Sequence, residues 1–213
     1  MNIHLILDLL LLVLLGTFMV SVTACGLNEN ERPAIARLVH ESRNKKAIVE
    51  SNLLQNNPLE DDDVPHAVRF IQEHRDYASY HLLMTLNRFY PKVYEGIPQD
   101  NKAAVLSSTL RSTLWLNDWG YLSPTKSHDG DAAKALLKTG KNSLKYLIPI
   151  LEDETRAPLF GSESATISKK FSFRRKDFAF RYISIIIDSN PRFDSDVAIR
   201  NKDIEVLKAK LSK

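Results

Sequence analysis

Residues 129–153, DGDAAKALLKTGKNSLKYLIPILED, decide the fold. They read as two short helices joined by a tight turn. Asp131 is an N-cap type of residue, and Ala132, Ala133, Ala135, Leu136 and Leu137 follow at helical spacing. Gly140 comes just past the last of them, where a helix stops in the left-handed conformation that glycine adopts at little cost. Ser143 is placed to cap the second helix. Leu144, Leu147, Ile148 and Leu151 then recur at i, i+3, i+4 and i+7, which predicts one apolar face.

The order Ala-Ala-x-x-Leu, then Gly140, then Leu-x-x-Leu-Ile-Pro-x-Leu-x-Asp resembles a HEAT repeat. The resemblance implies that Gly140 closes the inter-helix turn and that Asp153 ends the second helix. The run Asn117-Asp118-Trp119-Gly120, the pair itself, Gly161-Ser162-Glu163 and Arg175-x-Asp177 are together similar to HEAT-like bacterial proteins of uncharacterised type. That likeness implies an architecture and no activity.

Outward from the pair, the pattern stays helical. Ile35, Leu38 and Val39 form one face after Pro33, and Ile48, Val49, Leu53 and Leu54 form another. Val68, Ile71, Tyr77, Tyr80, Leu83, Met84 and Leu86 recur between residues 64 and 90, with Asp76 placed to cap a separate helix. Asp100 starts a helix carrying Ala104, Val105, Leu110 and Leu114. Trp119 packs back under a stop at Gly120. Ser162 caps a short helix. A longer one runs from about Asp177 to Asp188, ended by Asn190-Pro191, and a last one from about Asp194 to Leu211. No strand alternation stands out. The expectation is an all-α fold, an irregular stack of antiparallel helix pairs of HEAT-like, α-solenoid type, forming a single domain over residues 33–213.

The N-terminus reads differently. Residues 9–15 are an unbroken apolar run, followed by Val22-Thr23-Ala24-Cys25. An apolar core ending in small residues is an export and cleavage signature. Val-Thr-Ala-Cys resembles a bacterial lipobox, which implies removal of residues 1–24 and acylation of Cys25. Cys25 is the only cysteine in the chain, so it forms no internal disulfide. Residues 25–32 are then a polar tether. Gly26, not Asp, follows the cysteine, and by the same resemblance this favours the outer membrane over the inner. Against the pattern, no Lys or Arg precedes the apolar run, and Asp8 stands at its start. The alternative is an uncleaved anchor, because residues 9–26 are 18 residues without a charge.

Composition narrows the function classes only slightly. The formal net charge is +3, with 29 basic and 26 acidic residues, which identifies no polyanion partner. No local catalytic motif stands out. His40-Glu41 is followed by Asn44 where a zinc protease needs its second histidine. His66, His74 and His81 lie two helical turns apart, too far to share one ion. The acids at 60–63 and at 129–131 lack the spacing of a calcium loop, and helix capping accounts for both. No cofactor and no metal is expected.

The most suggestive surface feature is KKFSFRRKDFAFR, residues 169–181. Lys169, Lys170, Arg174, Arg175, Lys176 and Arg181 alternate with Phe171, Phe173, Phe178 and Phe180. Such interleaving suits a partner-facing or anionic surface. The competing reading places the phenylalanines in the core and the bases in water.

The expected function is a lipid-anchored, non-enzymatic binding protein of the bacterial envelope: a scaffold, an assembly factor or a toxin-immunity protein. Its partners would be the membrane, through the lipid, and another protein. The alternative is a HEAT-like nucleic-acid-binding protein or DNA glycosylase, which requires a cytosolic chain. An envelope enzyme whose carboxylates converge from separate helices is the third class.

Overall fold

The computed structural model describes Ile35 and residues 59–113, 116–125, 127–156, 159, 161–189 and 192–212. The lipobox, the tether and the faces expected at residues 38–54 lie outside them. The described residues form an all-α fold in which helices pack against one another.

The helices are α1 (Val64–Glu73), α2 (Tyr77–Phe89), α3 (Pro91–Gly96), α4 (Gln99–Ser112), α5 (Asp131–Lys138), α6 (Leu144–Leu147), α7 (Ser162–Phe171), α8 (Arg175–Ile186) and α9 (Val197–Leu211). The packing follows chain order. α1, α2 and α3 pack in succession, and α2 leans on α4. The α5–α6 pair sits between α4 and α8, and α9 closes the far side of α8. Ile35 is buried in the same core.

Several local signals act as the sequence implies. Asp76 caps α2, its Oδ1 accepting from the Ser79 amide at 2.9 Å. Trp119 is buried and packs against Tyr182, 5.9 Å between ring centroids. Gly140 takes φ +55° directly after α5.

Others differ. Asp131 is the first residue of α5 and Gly130 its N-cap, without a side-chain cap bond. Ser143 precedes α6, also without a cap bond, and its hydroxyl meets that of Thr139 instead. The second member of the pair is α-helical only over α6. It is flanked by 3₁₀ turns at Gly140–Ser143 and Ile148–Glu152. A 3₁₀ turn holds three residues, so Ile150 takes the inward place after Leu147, while Ile148 turns outward at 39% exposure. Pro149 stands in the first turn of that 3₁₀ segment, and Asp153 caps its end.

A small antiparallel ladder was not expected. β1 (Gly120–Tyr121) pairs with β2 (His128–Asp129), with Gly120 opposite Asp129 and Tyr121 opposite His128. Gly120 has φ +89°, and a Cβ there would lie 1.9 Å from the His128 carbonyl oxygen. A Cβ on Gly130 would lie 2.3 Å from the Asp118 carbonyl oxygen. The two glycines let the backbones close to this distance.

α8 begins at Arg175, two residues before the expected start. Asp177 therefore sits in its first turn and reaches back to the Arg174 amide at 3.0 Å. α8 ends in a Schellman arrangement. Ser189 donates its amide to Ser184 at 2.7 Å and Asp188 to Ile185 at 3.0 Å, with Asp188 at φ +59°.

Candidate functional site

The basic-aromatic run folds into two environments. Phe171, Phe173, Phe178 and Phe180 are all buried. Phe171 and Phe173 meet Phe193 edge-on, with centroids 6.0 and 5.8 Å away. The aromatic half of the expected surface is therefore core.

The bases divide as well, and not all of them lie in water as the competing reading has it. Lys169 and Lys170 are exposed. Arg181 pairs with Asp129, Nε to Oδ1 at 3.0 Å and Nη2 to Oδ2 at 3.2 Å. Arg174, Arg175 and Lys176 are consecutive, and each meets an acid from the segment after the α5–α6 pair. The reason is that α8 begins against that segment, so its first residues face protein and not water.

The centre of this arrangement is a buried triad. The Asp177 side chain is wholly buried. Its Oδ1 accepts from Arg174 Nη2 at 2.7 Å and from Arg200 Nε at 3.2 Å. Its Oδ2 accepts from the Arg174 amide and from Arg174 Nε. Arg200, from α9, donates onward to the carbonyls of Phe171, Asp194 and Ser195, and lies over the Phe193 ring. Two cations and one anion thus share the site, with Nη1 and Nη2 of Arg200 spent on backbone oxygens.

The outer edge of the triad is formed by residues 153–156. Glu154 receives Arg174 Nη1 on Oε2 at 2.8 Å and Lys176 Nζ on Oε1. Arg174 Nη1 also donates to Asn201 Oδ1 at 2.8 Å. Asp153 Oδ2 faces Arg175 Nη1 at 3.5 Å. The backbone joins in: Arg175 donates its amide to the Thr155 carbonyl, Lys176 to that of Asp153, and Arg156 bridges antiparallel to Arg174. Residues 153–156 lie across the start of α8 like a short added strand. The hydrogen bond from Lys176 holds the Glu154 carboxyl below its ordinary value; burial opposes this and Arg174 reinforces it.

A second polar cluster lies at the hairpin. Tyr80 donates its hydroxyl to Asp118 Oδ2 at 2.7 Å. Burial, followed by the Asp118 charge, pushes that phenol well above its usual range. His81, between Tyr77 and Tyr80, is lowered to about 4 by burial, with Asp118 opposing. Its Nε2 is buried without a hydrogen-bond partner. At neutral pH the phenol keeps its proton and the imidazole is uncharged. Elsewhere Lys102 is buried against the Tyr94 ring, 4.4 Å from its centroid, and burial lowers its ammonium.

The three histidines named above do not converge. His74 stacks on Phe70 at 4.0 Å, His81 belongs to the Tyr80 cluster, and His66 is half-buried in the first turn of α1. Among the described residues, no group of three His, Cys, Asp or Glu side chains is placed to hold a metal ion. Also among the described residues, no helix is long and apolar enough to cross a membrane. Cys25 lies outside them.

The acids that complete the basic row were not found by sequence reasoning. The sequence pattern implies a helix end at Asp153 and a loop at Glu154. The legible signal is that three consecutive acids, Glu152-Asp153-Glu154, precede three consecutive bases with one helix between them. No family model, no curated protein and no solved structure matches this chain.

Proposed function

We propose that the chain is a lipid-anchored, non-enzymatic binding protein of the bacterial envelope, held at the membrane through Cys25. The observation that carries this reading is the apolar run at residues 9–15 followed by Val22-Thr23-Ala24-Cys25, with no other cysteine in the chain. Each buried CH₂ of an acyl chain contributes about 0.8 kcal/mol, so one chain anchors marginally and two or more anchor stably. Residues 25–32 would then tether the helical body, and Gly26 favours the outer membrane. On this reading the helical body presents a surface to a protein partner, as scaffolds, assembly factors and immunity proteins do.

The test is the intact mass of the protein from the membrane fraction of its native host. The expected species starts at Cys25 and carries diacylglyceryl mass, and Cys25→Ser leaves a precursor or releases the protein. An unmodified full-length chain in the soluble fraction would overturn the reading. It would also revive the nucleic-acid alternative, although the burial of Arg174 and Lys176 leaves few bases of the run free for a phosphate backbone.

A further inference from the structure

The row Arg174-Arg175-Lys176 has an unusual distribution of exposure. The Arg174 and Lys176 side chains are 5% and 8% exposed, whereas Glu154, which both of them hold, is 62% exposed. The cations are fixed. Arg174 is anchored by Asp177 and Asn201, and Lys176 stands in the first turn of α8. The acid is the outer, accessible member of the pair. Two desolvated donors thus point outward at one carboxylate, a geometry in which charge-assisted hydrogen bonds are strong and directional. The carboxylate arrives on an extended segment held by the backbone bonds to Arg175 and Lys176 and by the bridge to Arg174. Strand addition to a partner uses the same pattern, main-chain bonds for affinity and side-chain sockets for specificity.

We propose that the Arg174-Arg175-Lys176 row, with Asn201 beside it, is an acid-recognising docking site. Residues Asp153-Glu154-Thr155-Arg156 occupy it in cis, and an extended acidic segment of a partner protein competes for it. This rests on the reading of the chain as a binding protein and names the chemistry of the partner: two adjacent carboxylates on extended backbone. Asp153 and Glu154 supply the template, one acid for Arg175 and the next for Arg174 and Lys176. The exposed Lys169 and Lys170 at the end of α7 add positive charge and favour approach of an acidic segment. Asp177 and Arg200 are positioning residues: they fix Arg174 from behind and do not touch the competing carboxylates.

The test uses the full chain in detergent and a fluorescein-labelled peptide of sequence LEDETR, read by polarisation. Glu154→Gln removes the charge of the cis occupant at an exposed position. The peptide then binds the variant up to about fivefold tighter than the wild type, because apparent affinity rises with the fraction of open site. A control peptide with Asn and Gln at the positions of Asp153 and Glu154 binds neither. Adding Lys176→Gln to Glu154→Gln abolishes the gain. In the wild type, saturating LEDETR speeds amide exchange over residues 154–156, a measurement that needs no variant. Equal binding to wild type and variant, equal binding of the uncharged peptide, or no binding at all would overturn the proposal. So would capture of the variant by phosphatidylglycerol vesicles in place of the peptide, which would make the row a lipid-surface contact. The mass of Cys25 is scored separately, so failure of the anchor and failure of the docking site are distinguishable.

Discussion

Tyr182 and Trp119, 63 residues apart in the chain, are joined by a 2.8 Å hydrogen bond from the phenol to the tryptophan carbonyl. Both side chains are buried. The bond fixes α8 to the turn that leads into β1. Tyr182→Phe leaves that carbonyl without the Tyr182 donor. The expected loss is about 1–3 kcal/mol of unfolding free energy, the desolvation cost of an unmet buried polar group. Urea melts of wild type and variant check it.

Gly120, Gly130 and Gly140 are not equivalent. Gly120 and Gly140 both have positive φ, but only Gly120 has backbone within reach of a new Cβ. Gly140→Ala therefore carries the left-handed penalty alone, about 1–2 kcal/mol. Gly120→Ala carries that penalty and a collision with the His128 carbonyl, and is expected to cost more and to open the β1–β2 ladder. Gly130→Ala, without positive φ, should resemble Gly120→Ala and not Gly140→Ala. Thermal unfolding of the three variants side by side ranks them, and a Gly140 effect as large as the other two would contradict this account.

Asp177 and Glu154 both bind Arg174, yet their removal should differ several-fold in cost. Asp177→Asn leaves two buried guanidinium groups short of a counter-charge, and breaking such a pair costs about 3–5 kcal/mol. Glu154→Gln acts at an exposed carboxylate, where ion pairs contribute roughly 0–1 kcal/mol. Chemical denaturation of both variants is the check. Equal losses would mean that the triad is not the mechanical centre of the C-terminal half.

His81 gives a pH dependence with a definite sign. Its folded value is lowered from 6.5 to about 4, so the unfolded chain takes up the proton first as pH falls. Stability is complete above about pH 6.5, declines between 6.5 and 4, and has no further contribution from His81 below that. The full span is on the order of 3 kcal/mol. His81→Phe should flatten the stability curve between pH 6.5 and 4.5. A variant with the wild-type slope in that window would assign the loss to other groups.

α8 ends with Asp188 in the left-handed position that glycine fills most cheaply, and Asp188 is exposed. Asp188→Gly is expected to stabilise the protein by up to about 1 kcal/mol, less the extra freedom of the unfolded chain. A raised melting temperature confirms it.

Helix existence was legible because periodicity is a local property. The Asp76 cap, the buried Trp119 and the turn at Gly140 all follow from residues within a few positions of one another. Ile148 was misplaced for an equally local reason: a period of 3.6 was applied where the chain tightens to three residues per turn. The β1–β2 ladder, only two residues long on each side, carries too little alternation to be read. The partners of Arg174 and Lys176 were beyond reach for a different reason. Glu154 and Asn201 lie 20 and 27 positions from Arg174, on either side of it, and only the packing of α8 brings them together. A basic run and a buried ion-pair network have the same composition.

The way Arg200 is used has a consequence for the order in which the molecule can be completed. Its guanidinium gathers oxygens from Phe171, Asp177, Asp194 and Ser195, so it acts as the keystone of the C-terminal half. A chain still emerging from a ribosome presents Arg174 and Asp177 well before Arg200. Until that residue arrives, Asp177 lacks its second cation and the Phe171 carbonyl its guanidinium donor, while Phe193 has no cation over its ring. The native arrangement of the C-terminal half is therefore complete only once the last helix has been delivered.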